Sequence, residues 1–425
     1  MGDDIRKRFE AVRNGEVPEG YVRTELGVMP KGWHELPVGD VIEFYNEKST
    51  KNNEYPVLTS SRSGLALQTE YFEGQVTREE NAGYNIIPYG FCTFRSRSDD
   101  GQFTFNQNTI IDKGIVSCFY PVFRIKEAVA VDTFVLCFLN NYLGRQILKE
   151  IVGTSQLVLS EKKLNSLKIA VPPVSEQKKI AEILSACDRA IELKQKLVEE
   201  LQSLKKTCLA KMFPREGSGV PEIRFPGFTG SWSPCKVVDI ASETRGGGTP
   251  ATSNELFWSG DIPWIQSSDL SEGILFGVEP RKHISQAGLD NSATQLVPGG
   301  SIAVVTRVGV GKLAFLPCSY ATSQDLLSLC GLNADPYFTV YGLFQLLQRE
   351  MRVVQGTSIK GMTKEDLLSK PISVPRDVKE QTQIGVFFKN LDTLITFHQR
   401  ELEATQQKKK ALMQLLLTGL VRVQV

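Results

Sequence analysis

The segment Val308-Gly309-Val310-Gly311-Lys312 is the stretch of this 425-residue chain that comes nearest to a phosphate-binding loop. In such a loop, backbone N–H groups between two glycines hold the phosphates, and a lysine followed by serine or threonine completes the site. Here the glycines are too close together for that spacing, and Leu313 stands where the metal-binding hydroxyl is needed. A glycine turn between two strands explains the segment better, so no nucleotide site is predicted.

Other residues that could carry chemistry are also better explained by structure. Asp335-Pro336-Tyr337-Phe338 lacks the second proline of the D-P-P-Y loop of amino-methyltransferases, and it is predicted to start a helix capped by Asp335. The eight cysteines form no C-x-x-C pair, and the three histidines lie far apart at positions 34, 283 and 398. Neither a catalytic triad nor a zinc site is therefore expected.

Loops rich in Arg, Lys, Asn, Gln, Ser and Gly occur in both halves of the chain. Guanidinium and ammonium groups bind phosphates or guanine edges, and carboxamides bind adenine. Each loop alone is typical of an ordinary surface, but recurrence in both halves favours DNA binding. The loops cover residues 47–64, 94–102, 243–260, 265–270 and 306–312. The residues predicted to face DNA are Lys51, Arg62, Arg95, Arg97, Arg245, Ser267, Arg307 and Lys312.

These loops lie in a chain that repeats itself after about two hundred residues. The repeated elements are Gly153-Thr154-Ser155 with Gly356-Thr357-Ser358, Glu176-Gln177 with Glu380-Gln381, and Trp33 with Trp232. Solenoid repeats are far shorter, at roughly 20–50 residues. The pattern therefore indicates duplication of a domain-sized unit.

Each unit ends in a long helical pattern, predicted over residues 175–213 and 382–418. Apolar residues recur at steps near 3.5 with polar interruptions, which is typical of a coiled-coil seam of fixed register. Two matched seams favour packing of the helices on each other, although each helix lying on its own domain is the alternative. The residues predicted at this interface are Ile180, Leu184, Ile191, Leu201, Ile384, Phe388, Ile395 and Leu402.

The regions before the helices predict strand-rich α+β domains. Short runs rich in β-branched and aromatic residues, bounded by Gly, Asn and Asp, are typical of strands. Such runs cover residues 55–61, 90–97, 114–125, 261–268, 301–308 and 311–318.

Composition and charge narrow the class of protein. Apolar content of 41% and charged content of 23% are those of an ordinary globular protein. With no apolar run of eighteen residues and no apolar signal core at the N-terminus, a cytoplasmic location is expected. The basic excess lies on the helical segments, with 11 basic against 7 acidic residues in 151–213 and 10 against 7 in 363–425. A simple nucleic-acid binder would carry this excess on its reading domains.

The combined pattern resembles the specificity subunit of type I restriction-modification systems. It consists of G-T-S-x(4)-S/T-x(3)-L, then V-P, then E-Q-x-x-I-[AG], and a long helix ending K-K-x-x-[LM], twice in one chain. The resemblance covers essentially the whole sequence, including Trp33 and Trp232 at the entry to each unit. The second copy differs by Arg376-Asp377 after a single proline, which leaves the start of its helix open.

The resemblance implies an α+β fold with two pseudo-symmetric target-recognition domains joined by two long antiparallel coiled-coil helices. The domains would cover residues 1–152 and 216–355, and the junctions with their spacer helices 153–215 and 356–425. The chain would be a non-catalytic reader of double-stranded DNA, with each domain reading one half of an asymmetric split target.

Partners and cofactors are implied in the same way. The helices would dock DNA adenine methyltransferase subunits, expected to be two, and these would recruit restriction and translocase subunits. S-adenosylmethionine, ATP and Mg would be bound by those partners, and this chain would bind no cofactor and no metal.

Two alternatives stay open. A specificity subunit of another restriction-modification class would be built on the same domains. A coiled-coil interaction scaffold without DNA binding would show the same helices, but it gives no reason for Arg- and Asn-rich loops in both units. A self-contained nuclease or methyltransferase would need the motifs that this chain lacks.

Overall fold

The structure is a computed structural model, and it describes residues 3–72, 80–150, 157–215, 217–307, 309–354 and 362–424. The chain divides into two compact units. The first is Met1–Leu193 with Leu402–Val425, and the second is Lys194–Glu401. The repeated Gly-Thr-Ser segments lie outside the described residues.

The first unit is built on a four-stranded antiparallel sheet in the order Phe105–Gln107, Cys92–Phe94, Val122–Ile125, Ile42–Tyr45. Its other strands are Tyr21–Thr24, Gly27–Pro30, His34–Pro37, Leu58–Ser61, Gly64–Leu67, Asn85–Pro88, Arg97–Ser98, Lys113–Val116, Leu157–Val158 and Lys168–Val171. Its shorter helices are Asp3–Arg13, Val38–Val41, Gln68–Tyr71, Asp132–Tyr142, Gly144–Glu150 and Glu161–Ser166. Phe94, Phe105 and Phe123 from the sheet pack against Phe134 and Phe138 of the helix Asp132–Tyr142 in one core.

The second unit contains a four-stranded sheet in the order Ala241–Gly246, Leu326–Leu332, Ser301–Val305, Leu313–Leu316. A three-stranded sheet has the order Lys282–Ile284, Ile262–Ile265, Ala321–Thr322. The remaining strands are Ser233–Lys236 and Pro371–Val374. The shorter helices are Val237–Ile240, Glu255–Trp258, Ser267–Asp269, Gln286–Asp290, Pro336–Val354 and Lys364–Ser369, of which the first three are 3₁₀ helices. All five residues of Ser301–Val305 are buried, so this strand is covered on both faces.

The strand-to-helix junction has the same construction in both units. In the first, Lys168–Val171 pairs antiparallel with His34–Pro37, and in the second, Pro371–Val374 pairs with Ser233–Lys236. The S/T-x(3)-L part of the repeated pattern is a helix cap. The hydroxyls of Ser160 and Thr363 accept the N–H of the third helical residue, as N-caps do.

Two long helices, Val174–Met212 and Val378–Leu417, follow these junctions. The expected start of the second helix at residue 382 is wrong, because the helix begins four residues earlier, immediately after Asp377. The predicted α+β class with two long helices is confirmed. Each helix contributes residues to both compact units.

The predicted glycine turn and the predicted helix cap at Asp335 are both present in the structure. Gly309 and Gly311 have φ of +87° and +100° in the turn between Ser301–Val305 and Leu313–Leu316; Val308 lies outside the described residues. Left-handed backbone of this kind favours glycine. Asp335 caps the helix Pro336–Val354, since its Oδ1 accepts from the N–H of Phe338 at 3.0 Å.

Within the described ranges, no helix combines the length and apolar character that a bilayer span requires. The same part of the chain contains no group of His, Cys, Asp and Glu side chains suited to holding a metal ion.

Candidate nucleic-acid interface and the helices that support it

Glu176, the first residue of the repeated Glu-Gln pair, is a buried carboxylate in the first unit, where it is 2% exposed. Trp33 donates its indole N–H to Oε2 at 3.1 Å. Arg422 donates from Nε at 2.6 Å to Oε1 and from Nη2 at 2.7 Å to Oε2. This bidentate pair raises the pKa of Arg422. The tryptophan and the glutamate that the repeat singles out are therefore in contact.

Glu380 repeats this arrangement in the second unit, where it is 1% exposed. Trp232 donates its indole N–H to Oε1 at 3.3 Å. Arg224 donates from Nε at 2.6 Å and from Nη2 at 2.8 Å, and this pairing raises the pKa of Arg224. Arg224 and Arg422 each follow the end of a long helix, and each pairs with the glutamate at the start of the other one.

The glutamine of the pair is also structural. Gln177 donates to the carbonyl of Pro172 at 2.8 Å and accepts from the N–H of Val131 at 2.9 Å. Gln381 donates to Pro375 at 2.8 Å and accepts from the N–H of Asp335 at 2.8 Å. Each carboxamide thus ties a long helix to the start of an earlier helix of the same unit, Asp132–Tyr142 in the first and Pro336–Val354 in the second. The repeated Glu-Gln pair holds the junction together, and buried polar groups satisfied in this way specify one arrangement.

Ion pairs join the long helices within each unit. In the first, Lys409 pairs with Asp188, and in the second, Lys205 pairs with Asp392 at 2.5 Å. Because early residues of one helix contact late residues of the other, the segments run antiparallel in each unit. Tyr341 donates to Asp392 at 2.6 Å, and burial together with this carboxylate raises the pKa of Tyr341.

The predicted interface residues occupy two environments. Ile180 and Leu184 belong to the core of the first unit, and Ile384 and Phe388 to that of the second. Phe388 lies 5.1 Å from Tyr341 between ring centroids, so these positions bind each helix to its own domain. The residues further along the helices are Ile395 and Leu402, which are buried, and Ile191 and Leu201, which are half-buried.

In the first unit, Arg62 and Arg97 are held around one loop. Arg62 pairs with Asp100, which also accepts from the N–H of Gln102 at 3.1 Å and from Ser98 at 2.9 Å. These contacts, led by the Gln102 N–H, lower the pKa of Asp100 to about 2. The Arg97 guanidinium lies 4.2 Å from the Phe119 ring centroid.

The other two residues of the first set are exposed. Arg95 lies two residues before Arg97 on the same segment. Lys51 lies on a different loop, where its N–H and that of Thr50 donate to the Glu54 carboxylate.

In the second unit, Ser267 and Lys312 are brought together. The Lys312 ammonium donates to the carbonyl of Ser267 at 3.5 Å. Arg245 is directed elsewhere, since Glu243 on the same strand accepts from its Nε at 2.8 Å and from its Nη2 at 3.0 Å. Arg307 is exposed at the end of the strand Ser301–Val305.

Arg281 and Lys282 were missed by sequence reasoning, although Arg281 contacts the turn that contains Ser267. Arg281 Nε is 3.0 Å from Oδ1 of Asp269, and its Nη2 donates to the carbonyl of Ser268. The Lys282 ammonium lies 5.3 Å and 5.7 Å from the ring centroids of Trp258 and Trp264. The only signal in the sequence is the basic run Arg281-Lys282-His283, outside the polar loops singled out above. We call Ser267, Ser268, Asp269, Arg281 and Lys312 the Arg281 patch.

Comparison with known proteins identifies the family. A family model described as the type I restriction modification DNA specificity domain matches residues 30–203 and again residues 230–407. The putative type I restriction enzyme MjaX specificity subunit of Methanocaldococcus jannaschii is 26% identical over 436 residues, which cover 95% of this chain and 97% of that protein. The MjaVIII specificity subunit of the same organism is 25% identical, over 93% of this chain and 94% of that protein.

Solved structures share the fold. The type I restriction-modification S subunit from M. genitalium aligns with a TM-score of 0.57 at 11% identity, over 92% of this chain and 97% of that one. A chain from a structure on complex assembly and conformational transition of the type I R-M system aligns with a TM-score of 0.56 at 17% identity, over 92% and 99%. Because the two matches of the family model cover most of its length, this chain belongs to the specificity subunits of type I restriction-modification systems.

Proposed function

We propose that this chain is the non-catalytic DNA-recognition subunit of a type I restriction-modification complex, and that it reads an asymmetric bipartite target. The observation that carries the proposal is the duplicated specificity domain with one repeated Glu–Trp–Arg junction. Two domains attached in the same way, each on a long helix, suit the recognition of two half-sites. Methyl transfer with S-adenosylmethionine, and ATP- and Mg-dependent cleavage, belong to partner subunits.

The difference between the two candidate surfaces supports asymmetry of the target. The first domain carries Arg62 and Arg97 around a loop that ends at Asp100 and Gln102. The second carries Lys312 and Arg281 around Ser267. Since sequence is read by side chains at base edges, different side chains on different loops read different bases. The two half-sequences are therefore unlike.

The proposed docking face for the methyltransferase lies on the long helices of the second unit. Leu197, Leu204, Leu394 and Phe397 are between 38% and 56% exposed there. The spacing of seven residues in the first helix and three in the second places each pair on one helical face. Apolar residues that recur on an exposed face are typical of a protein interface. A surface of the methyltransferase that covers these residues would remove them from water.

Charged substitutions on this face should abolish assembly. Leu394→Glu with Phe397→Glu places two charges in the apolar contact, and we expect no stable complex with the methyltransferase in size-exclusion chromatography. The thermal stability of the chain alone should hardly change, because both side chains already contact water. Thr396→Glu is the matched control, since Thr396 is exposed but lies on another face of the same helix. Normal assembly of the double variant would move the docking face elsewhere.

The function is tested by reconstitution. We expect the purified chain alone to show neither methyltransferase nor nuclease activity on DNA. Addition of the methyltransferase subunit and S-adenosylmethionine should give adenine methylation at one split sequence, as mapped by sequencing of the modified DNA. Turnover by the chain alone, free of other subunits, would contradict the proposal, as would methylation without sequence preference by the assembled complex.

A further inference from the structure

Arg281 is an exposed cation on a buried anchor. Its side chain is 65% exposed, whereas the side chain of Asp269, 3.0 Å from its Nε, is fully buried. The other carboxylate oxygen of Asp269 accepts from the N–H of Gln266 at 3.0 Å, which fixes the carboxylate in the 3₁₀ turn Ser267–Asp269. A buried carboxylate cannot exchange its cation for water without a large loss in free energy. The guanidinium is therefore held in one place at the surface.

The anchored guanidinium keeps most of its donors for a ligand. Of its five N–H groups, one donates to the Ser268 carbonyl, and Nε faces Oδ1 of Asp269 at 3.0 Å as an ion pair. Lys312 is a second cation of the Arg281 patch, since it contacts Ser267, and Lys282 is the residue that follows Arg281, at the start of the strand Lys282–Ile284. Lys282 is in turn positioned over the rings of Trp258 and Trp264. Two cations on one short turn, with a third as the next residue along the chain, suit a polyanion with an acceptor edge between its phosphates.

We propose that Arg281 reads a guanine in the half-site of the second domain, with Lys282 and Lys312 on the flanking phosphates. This inference rests on the proposed function. A pre-oriented fork of N–H donors matches the O6 and N7 acceptors of guanine in the major groove, whereas lysines act on phosphates as point charges. Asp269 is a positioning residue, which acts through Arg281.

Arg245 and Arg62, which the sequence predicted to face DNA, lack such a buried carboxylate partner. Glu243, the partner of Arg245, and Asp100, the partner of Arg62, both have about half of their side chains exposed. Exposed pairs of this kind contribute little and exchange with water. Burial of the anchoring carboxylate therefore distinguishes Arg281 from the arginines that the loops alone suggested.

The test uses the assembled methyltransferase complex on a DNA library with both half-sites randomised. Arg281→Lys keeps the charge for Asp269 but loses the two-pronged geometry, which lysine does not reproduce. We expect discrimination at one guanine of the second half-site to fall by about 5- to 150-fold, the equivalent of one bidentate contact. The first half-site should be unchanged. Asp269→Asn should relax the same position to a smaller extent.

The lysines give a different expected result. Lys282→Gln and Lys312→Gln should weaken binding to all sequences alike and flatten its dependence on salt concentration. Arg215→Lys is the matched control, because Arg215 is exposed and pairs with Glu222 on the connector between the domains, and it should change neither readout. Should Arg281→Lys lower thermal stability, the double variant Arg281→Leu, Asp269→Leu removes both charges and must show the same relaxation at one base pair.

Two failures are distinguishable. If the complex with the unaltered chain methylates a split sequence and the Arg281 variants keep full discrimination in the second half-site, Arg281 does not read a base. Relaxation of the first half-site instead would also overturn the inference. If the complex with the unaltered chain shows no sequence preference, the proposed function itself fails.

Discussion

Arg224→Ala should destabilise the second unit by about 3–5 kcal/mol, the usual cost of leaving one partner of a buried ion pair alone. Glu380 is 1% exposed, and Arg224, at 15%, is nearly as well shielded. Removal of the guanidinium leaves the carboxylate with the indole N–H of Trp232, which carries no compensating charge. The free energy of unfolding, from urea denaturation followed by tryptophan fluorescence, measures the loss.

Arg422→Ala tests the same contact in the first unit and should cost less. Arg422 is 42% exposed, so water reaches the pair with Glu176 more easily and replaces part of the lost interaction. Arg376→Ala is the control, because Arg376 is exposed and donates to the hydroxyl of Ser233 rather than to a buried carboxylate. Equal, small losses for all three variants would show that the buried glutamates do not depend on their arginines.

These two pairs show what the sequence could supply and what it could not. The repeat revealed Trp33, Glu176 and their second copies, since they recur at nearly constant offsets. Arg422 lies 246 residues from the glutamate it binds, and Arg224 lies in a connector whose flanking residues differ from those around Arg422. A contact that closes such a long loop leaves no local pattern.

The helices show a second limit of pattern reasoning. Apolar spacing predicted both helices and a buried face on each. That face contacts two partners, the domain core near the start of the helix and the other long helix further along. Ile180 and Ile384 lie in the domain cores, whereas Lys409 with Asp188 and Lys205 with Asp392 join helix to helix. Periodicity reports burial and does not name the partner. Phe397 lies off the buried stripe and is exposed, so apolar periodicity did not indicate it as a contact residue.

At the candidate interface, residue types were enough to predict which loops could bind DNA. Ser267 and Lys312 were chosen separately and are in contact. Arg281 was missed because its significance depends on Asp269, a residue twelve positions earlier whose burial no local composition predicts. Tertiary placement, more than the type of the side chain, separates an anchored arginine from an ordinary surface one.

Lengthening both long helices by seven residues should lengthen the unread gap in the DNA target by about three base pairs. Seven residues add about 10.5 Å of helix, and one base pair rises about 3.4 Å. Seven residues are also close to two turns, so the faces of each helix are kept.

Suitable positions are after Glu192 in the first helix and after Glu403 in the second. These positions lie between the Lys409–Asp188 pair and the Lys194–Glu401 pair, so both ion pairs stay intact.

Methylation by the reconstituted complex on targets with gaps of different length measures the effect. Both half-sequences should be unchanged, because the reading loops are untouched. Binding should be weaker, since three base pairs also rotate one half-site about the duplex axis by roughly 100° at 10–10.5 base pairs per turn.

The same insertion in one helix alone is the control. With one helix longer than the other, the Lys409–Asp188 and Lys194–Glu401 pairs cannot both form, so this variant should not assemble with the methyltransferase. A preferred gap that stays at its original length in the doubly lengthened chain would mean that the helices do not set the spacing, and that the reading domains find their half-sites by another route.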